Sequence, residues 1–223
     1  GSKNVKAIAV RGTRGVALAD PEAFLETCLA THADLRSSAA FEGIHTIGHT
    51  FGQVQYVNSG GKWSDAADAS KSPAYDMIPY VDFYKENSYI RAGCAGCPVQ
   101  CHEAYNVPGH GATVVTCDLY TPFSVGLRNH DLFFWLKMIT KAHRQGIDAS
   151  SLVTSLQWIW HLWDLGIIDE SLTDGRRLEW GSPEAIEGMF DSIVARQGFG
   201  DVFAQGMKAT ADYLDAKIPL EKR

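Results

Sequence analysis

The chain has 223 residues, a hydrophobic content of 45% and a formal net charge of −6. This length suffices for one large or two small domains with a sizeable core, and the lack of a recurrent basic patch argues against nucleic acid as a partner. No apolar run approaches the ~20 residues needed to cross a bilayer, so the sequence predicts a globular protein that is not a membrane protein.

The N-terminal part of the chain is predicted to contain a strand followed by a helix. Alternating side chains predict a strand within residues 1–12. Asp20 and Pro21 are typical of a helix N-terminus, and this helix is predicted to end near Arg36. The side chains predicted to face the core are Phe24, Cys28, Leu29 and Leu35.

A second helix is predicted over residues 41–57, followed by the longest loop signal in the chain at 59–76. His45 and His49 are four residues apart on this helix, which is compatible with metal binding. No carboxylate or third histidine completes a ligand set there, so a metal site is disfavoured. An amphipathic helix is predicted again over 75–87, leading into a cysteine-rich turn.

Three of the five cysteines lie within eight residues, in the segment Cys94-Ala-Gly-Cys97-Pro-Val-Gln-Cys101. Thiolates suit iron–sulfur clusters, zinc or other thiophilic metals, and these spacings let a tight turn direct several sulfurs at one metal centre. A [4Fe–4S] cluster normally takes four thiolates, so one ligand would come from elsewhere. Clustered cysteines in a chain of this size indicate a reducing compartment, which predicts a cytoplasmic location.

The three clustered cysteines are compatible with more than one kind of metal or redox site. Pro98 stands where c-type haem attachment requires histidine, and a redox dithiol of Cys94 and Cys97 would leave Cys101 unexplained. A radical-SAM cluster has the two spacings in the opposite order. Zinc remains possible because His102 directly follows the third cysteine. Three metal-free core cysteines are disfavoured because clustered thiols are liable to oxidation, and the spacing favours iron–sulfur over zinc.

After the cysteines, the sequence predicts a reversal of the chain and then a mainly helical second half. Residues 102–111 are rich in glycine and proline, and the β-branched segment 112–117 is predicted to be a short strand. Asn129 is predicted to cap a helix that ends at Gly146.

The next helix is predicted over residues 150–165, with Asp148 as its cap. It is apolar nearly all round, which predicts that it is the most buried helix. Two further helices are predicted to begin at Ser182 and Gly200. The chain is therefore predicted to be a single, mainly α domain over 1–223.

Several segments spread along the whole chain carry a resemblance to one family. They are residues 1–12, the motif Cys94-x-x-Cys97-Pro-x-x-Cys101, Gly146-Ile-Asp148 with Ser151, and the segments 165–168 and 198–206. In this order they resemble landmarks of the aldehyde ferredoxin oxidoreductases, the tungsten-pterin enzymes. The chain is similar to the middle, helical domain of that longer family, in which residues 1–12 would continue a strand from a missing N-terminal domain. Gly1-Ser2 fits the family motif as well as it fits a tag scar.

The resemblance implies a fragment of an oxidoreductase with a tungsten (or molybdenum) bis-pterin that oxidises aldehydes or reduces an aromatic acid derivative. Cys94, Cys97 and Cys101 would hold a [4Fe–4S] cluster, with the fourth thiolate from the missing last domain. Gly146 and Asp148 would contact the pterin. Electrons would leave to ferredoxin or an electron-transfer subunit.

The chain departs from the family pattern near the expected active site. The acid that opens the family's Asp-x-x-Gly-Leu-Asp motif is His143 here. The family's Tyr-Glu pair, whose Glu lies by the metal, falls on Cys117-Asp118. Asp118 is therefore the candidate acid–base group. Cys117 is either a core thiol or a thiolate ligand of tungsten, as would suit the branch of the family that reduces aromatic thioesters.

Two rival interpretations remain from the residues alone. One is a structural or interaction module whose cysteines hold zinc. The other is that this fragment binds no metal, because a single domain supplies only three cluster thiolates and half of a pterin pocket. Catalysis is expected of the full-length protein, with its missing N- and C-terminal domains, and not of this fragment alone.

Overall fold

The computed structural model describes residues 5, 7–48, 86–115, 126–129 and 131–218. Its helices are α1 (Pro21–Ser37), α2 (Phe41–Ile47), α3 (Leu132–Gln145), α4 (Ala149–Asp164), α5 (Pro183–Ala195), α6 (Phe199–Phe203) and α7 (Met207–Lys217). Its strands are β1 (Ser88–Ala92), β2 (His102–Val107) and β3 (Gly111–Val115). The predicted mainly α fold is confirmed. Within these residues no helix combines the length and apolar character that a membrane span requires.

The three strands form an antiparallel sheet in the order β1-β2-β3. The closing pairs of its two hairpins are Ala92 with His102 and Val107 with Gly111. The first hairpin encloses residues 93–101, so the cysteine segment is the loop between β1 and β2. The second hairpin is the chain reversal that the glycine- and proline-rich passage predicted.

The strand predictions have mixed outcomes. β3 confirms the strand predicted over 112–117 as far as the structure describes it. β1 was not predicted, and neither was β2, which occupies residues 102–107 of the passage predicted to be a chain reversal. Residues 5 and 7–12 form no strand in the structure, and the large apolar side chains Val5, Ile8 and Val10 are exposed. A strand needs a hydrogen-bonded neighbour, and an alternating pattern cannot supply one.

Helix α1 begins as predicted but does not bury its apolar side chains. The Asp20 carboxylate accepts the N–H of Ala23 at 3.0 Å and caps the helix. No residue of α1 is buried, Phe24 is 55% and Leu29 is 62% exposed, and Cys28 is only half-buried. The predicted inward face was therefore wrong, because an apolar stripe indicates that a helix has a partner without showing which part of the protein supplies it.

Helix α2 ends at Ile47, where Gly48 adopts a φ of +60°. This backbone conformation favours glycine and stops the helix. The remainder of the helix predicted to 57, the loop predicted over 59–76 and most of the helix predicted over 75–87 lie outside the described residues.

The hydrophobic core joins the sheet to α3, α4, α5, α6 and α7. Helix α3 packs against β2, β3, α4 and α5, and eight of its residues are buried compared with six in α4. The prediction that α4 is the most buried helix was therefore wrong, because α3 is covered by the sheet as well as by helices. Trp160 of α4 is fully buried, whereas Trp163 is half-buried.

The start of α3 is set by two side chains. Asp131, and not the predicted Asn129, is the cap, because its carboxylate accepts the N–H of Phe134 at 3.1 Å. Asn129 accepts the N–H of Asp131 at 3.0 Å and donates to the carbonyl of Gly181 at 2.8 Å. Asn129 therefore positions the capping residue and links it to the segment before α5.

The last predicted helix is two helices in the structure. Gly206, at a φ of +102°, separates α6 from α7. Gly200 lies in α6 and packs against α5 so closely that a Cβ there would lie 2.5 Å from the Ser192 carbonyl oxygen. The glycine at 200 thus permits a close helix contact.

Candidate functional site

The cysteine loop is closed at its base by a close approach of two backbone segments. A Cβ on Gly93 would lie 2.9 Å from the Cα of Gln100, so glycine is required at position 93. Cys94 and Cys101 directly follow these two residues and lie at opposite ends of the loop. Cys97 lies between them, and its N–H donates to the Cys94 carbonyl at 3.0 Å. The hairpin thus places all three thiols in one short loop.

The thiols are reduced and close to solvent. Cys94 is exposed, Cys97 and Cys101 are half-buried, and none of the three is in a disulfide. Accessible thiols that are not in disulfides are the donor chemistry that an iron–sulfur cluster requires. The loop therefore fits such a group by donor type and by chain position.

The three sulfurs are not gathered into one ligand set. Among the described residues, no three His, Cys, Asp or Glu side chains lie close enough together to hold a metal ion. This corrects the expectation that the sulfurs converge on one point. The physical reason is that the free energy of metal binding helps to assemble a ligand set, and the pairing of the hairpin strands does not supply it.

Two turn positions have left-handed backbone. Gly96 adopts a φ of +76°, a conformation that glycine allows without steric cost. Gln100 adopts a φ of +50°, which residues other than glycine rarely do. The loop therefore has an energetically unfavourable backbone conformation directly before Cys101.

Histidines from two helices contact the cysteine loop. His32 of α1 lies with Nε2 3.0 Å from the Gly96 carbonyl oxygen, and His45 of α2 lies with Nδ1 2.9 Å from the Val99 carbonyl oxygen. A carbonyl oxygen only accepts hydrogen bonds, so each imidazole is the donor. His45 thus makes a hydrogen bond to the cysteine loop. His49, which was considered together with His45 as a disfavoured metal site, lies outside the described residues.

A buried ion pair lies beside the third cysteine. Glu103 is only 3% exposed, and Arg91 of the neighbouring strand donates to it at 2.7 Å. A Cβ on Gly48 would overlap the Glu103 carboxylate and lie 2.7 Å from the Cys101 carbonyl oxygen. The end of α2 is therefore packed directly onto the start of β2.

Because Glu103 is buried, the stability of the folded protein is expected to depend on pH. Burial raises the pKa of Glu103 from 4.5 to about 7, although the guanidinium of Arg91 acts in the opposite direction. The folded protein therefore binds this proton more tightly than the unfolded chain does. The stability from this group is complete below pH 4.5 and declines as the pH rises to about 7.

We expect Glu103→Gln to remove this part of the pH dependence, because glutamine does not ionise. The free energy of unfolding of both proteins, measured in urea at pH 5 and pH 8, checks this. The wild-type protein should lose more stability than the variant between the two conditions. Equal losses would show that Glu103 does not change protonation in this range.

Asp148, one of the two predicted pterin-contact residues, lines a separate cleft. This cleft has a volume of about 400 Å³ and is bounded by the α3–α4 junction, α5 and α6. Its lining residues include Gln145, Ile147, Asp148, Ser151, Ile193 and Phe203. Gly146, between two of these residues, ends α3 with a φ of +69°. The volume is in the range of small-molecule sites.

Asp148 lines this cleft and also caps α4. Its carboxylate accepts the N–H of Ser151 at 2.7 Å. Hydrogen bonds from the hydroxyl and the N–H of Ser151 lower the pKa of Asp148, so the carboxylate is ionised at neutral pH. The predicted cap is confirmed, and it leaves an anion at the rim of the cleft.

The structure separates the predicted site residues into groups. The three cysteines share the β1–β2 loop, whereas Gly146 and Asp148 belong to the α3–α4 junction. Cys117 and Asp118 lie outside the described residues. The contacts made by His32, His45 and Glu103 had no signal in the sequence, because each crosses between distant segments or depends on burial.

Comparison with known proteins places this chain within a family. The family model described as aldehyde ferredoxin oxidoreductase, domains 2 and 3, matches residues 34–219. The tungsten-containing aldehyde ferredoxin oxidoreductase of Pyrococcus furiosus is 27% identical over 95% of this chain and 36% of its own length. The corresponding protein of Pyrococcus horikoshii is 26% identical over 92% of this chain and 35% of its own length. The chain thus spans about a third of these curated relatives.

A solved structure has a similar fold. It is the active-site complex BamBC of benzoyl-coenzyme A reductase with 1,5-dienoyl-CoA, which matches with a TM-score of 0.68 and 21% identity. The match covers 92% of this chain and 33% of that chain. At this level of identity the likeness shows a common fold.

Proposed function

Because this chain belongs to the aldehyde ferredoxin oxidoreductase family, we propose that it is part of a tungsten-pterin oxidoreductase that carries an iron–sulfur relay. When bound, the tungsten or molybdenum pterin would supply two-electron chemistry, and a cluster held by Cys94, Cys97 and Cys101 would supply one-electron transfer towards ferredoxin or an electron-transfer subunit. The full-length protein oxidises an aldehyde or reduces an aromatic acid derivative. The residues of this chain position these groups and set their electrostatic surroundings.

The observation that carries this proposal is the cysteine loop inside the matched region. Cys94, Cys97 and Cys101 are reduced, they lie in one hairpin loop, and their spacing suits a [4Fe–4S] cluster. The fourth thiolate comes from another part of the longer protein. Zinc is the alternative, since His102 follows the third cysteine directly.

Metal analysis of the full-length protein tests this assignment. We expect iron, and broad visible absorption from charge transfer within the cluster. Zinc without visible absorption would favour the structural or interaction module instead. The same analysis on residues 1–223 alone shows whether the other domains are needed to retain the metal.

We propose that Gly146 and Asp148 form part of the pterin site. The cleft at the α3–α4 junction is large enough for a small-molecule group, and the ionised Asp148 can accept hydrogen bonds from the N–H groups of a pterin. Gly146 leaves the backbone open beside this carboxylate. The side chains of this chain would thus orient the cofactor.

Asp148→Asn separates the two roles of this residue. Asparagine caps helices about as well as aspartate, so the thermal stability should change little, while the loss of charge should lower the pterin and tungsten content of the full-length protein. Asp148→Ala is the matched variant and should also lose about 1 kcal/mol of stability. Normal cofactor content in Asp148→Asn would show that Asp148 is only a helix cap.

We propose Asp118 as the acid–base group at the substrate and Cys117 as a thiolate ligand of the metal. Asp118→Asn should lower kcat by about a hundredfold or more with unchanged metal content, because general acid–base catalysis contributes on this scale. Cys117→Ser should lower the tungsten content or shift the tungsten spectrum. Normal turnover and normal metal in both variants would place the active site elsewhere.

The exposed apolar side chains of the N-terminal part are proposed to contact other domains of the same protein. Phe24, Leu25 and Leu29 of α1 are more than half exposed, as are Ile8 and Val10 of the extended segment. Apolar side chains grouped at a surface mark interaction sites. We propose that residues 7–12 pair with a sheet in the domain that precedes this one. The reduced, clustered thiols suit a cytoplasmic location for the whole enzyme.

A further inference from the structure

We propose that His32 and His45 are positioning residues for the iron–sulfur cluster. Each holds one backbone carbonyl of the cysteine loop. Together they restrain the backbone on both sides of Cys97, which slows loss of a bound cluster and influences its reduction potential. This inference rests on the proposed function of the loop as a cluster site.

The two contacts come from distant parts of the chain and meet on one short loop. His32 is 64 residues from Gly96, and His45 is 54 residues from Val99. The two carbonyls stand on either side of Cys97 in the sequence. Because both flanks of Cys97 are held from outside the hairpin, the loop cannot rotate freely about its base.

Among the described residues, helices α1 and α2 contribute little to the hydrophobic core. The hydrophobic core is built from the sheet and from α3 to α7, and none of the side chains that the structure describes in α1 and α2 belongs to it. Gly48, at the end of α2, lies against the Cys101 carbonyl and the Glu103 carboxylate. The two helices therefore contact the hairpin mainly at and beside the cysteine loop.

The imidazoles are suited to act as directed donors. His32 donates through Nε2 and His45 through Nδ1, so the acceptor carbonyl selects a different tautomer in each ring. The His45 ring stacks on Phe41, with ring centroids 5.5 Å apart and planes at 10°. This stacking fixes the direction in which the His45 N–H points.

Holding a carbonyl also orients the amide that follows it. In a trans peptide the C=O and the N–H point in opposite directions, so the bond to Val99 turns the Gln100 N–H away from α2. Gln100 has the left-handed φ of +50°, which persists only where the surroundings maintain it. Loss of the His45 bond would let this peptide rotate, and hydrogen bonds and solvent near the sulfurs set cluster potentials.

The test compares donors of matched reach in the full-length enzyme. Glutamine carries its amide nitrogen at a reach similar to histidine Nε2, and asparagine does so for Nδ1. His32→Gln and His45→Asn should therefore behave like the wild type. The exchanged pair, His32→Asn and His45→Gln, places the donor at the wrong reach, and His32→Leu and His45→Leu remove it.

Two readouts follow the cluster itself. One is the rate of iron release to a chelator, and the other is the midpoint potential from a redox titration followed by electron paramagnetic resonance. The leucine and exchanged variants should release iron about tenfold faster, as is usual when a residue supporting a metal site is lost, with a shifted potential. His161→Leu, on α4, is the matched control and should match the wild type.

The outcomes are distinguishable. Wild-type enzyme without an iron–sulfur signal would overturn the proposed function and this inference together. Wild-type rates and potentials in the leucine and exchanged variants would overturn the inference alone. If the leucine variants do not fold, the exchanged variants decide, because they differ from the matched donors only in reach. Equal effects of matched and exchanged amides would also overturn the donor role.

Discussion

Replacing Cys97 by serine should remove most of the iron from the full-length enzyme. Cys97 lies between the two cysteines at the ends of the β1–β2 loop and is half-buried there. Serine has a similar shape, but its oxygen is a hard donor and a poor ligand for iron in a cluster. Retained iron should fall to about a tenth of the wild-type level. Loss of a residue that only supports a metal ligand already lowers metal affinity on this scale.

Cys28→Ser is the matched control for this experiment. Cys28 is also a reduced, half-buried thiol, but it lies on α1 and outside the cysteine loop. Iron analysis and electron paramagnetic resonance of both variants should show loss only for Cys97→Ser. Normal iron in Cys97→Ser would exclude this residue as a ligand, and loss in Cys28→Ser would show a general sensitivity of the fold.

Trp160→Ala should destabilise the helical core more than the other tryptophan truncations on α4. Trp160 is fully buried, and its indole N–H donates to the carbonyl of Glu179 at 3.1 Å. Truncation leaves a large cavity and an acceptor without its donor, so the free energy of unfolding should fall by about 3–5 kcal/mol. Urea unfolding followed by circular dichroism measures this change.

Trp163→Ala on the same helix is the comparison, because Trp163 is only half-buried. Trp163→Ala should lower the free energy of unfolding clearly less than Trp160→Ala does, because it removes less buried apolar surface from the core. Equal losses in the two variants would mean that the exposure of these side chains does not control the stability of this helix.

Features fixed by neighbouring residues were predictable from the sequence. The caps Asp20, Asp148 and Ser182 each accept an N–H three residues further along the chain, so their helices begin as predicted. Gly146 ends α3 for an equally local reason, its left-handed backbone. Asn129 was mistaken for a cap because two good capping residues stand two positions apart, and the choice between them depends on the contact with Gly181.

Features that depend on distant partners were not predictable. The apolar stripe of α1 gave no sign that none of it is buried in this domain. The greater burial of α3 depends on the strands β2 and β3 that cover it, and β2 was not predicted. The apolar pattern of a segment shows which side chains could be buried, whereas the tertiary neighbours determine which of them are buried.

The candidate site shows the same division. The cysteine spacing is local and was read directly from the sequence, as was the capping carboxylate of Asp148. The roles of His32 and His45 depend on contacts with carbonyls more than fifty residues away. Glu103 was assigned only to the predicted chain reversal over 102–111, and its burial beside Arg91 was not predicted.

The hairpin also restricts how the length of this segment can change in evolution. The pairing of Ala92 with His102 sets the number of residues available between the strands, and the contact of Gly93 with Gln100 closes that interval. One inserted residue in β1 would turn every following side chain to the opposite face of the sheet and carry Cys94 with it. Insertions beyond Val107, in the turn that joins β2 to β3, leave the cysteine interval intact. Length variation is therefore expected at the second turn, whereas the first must keep its residue count.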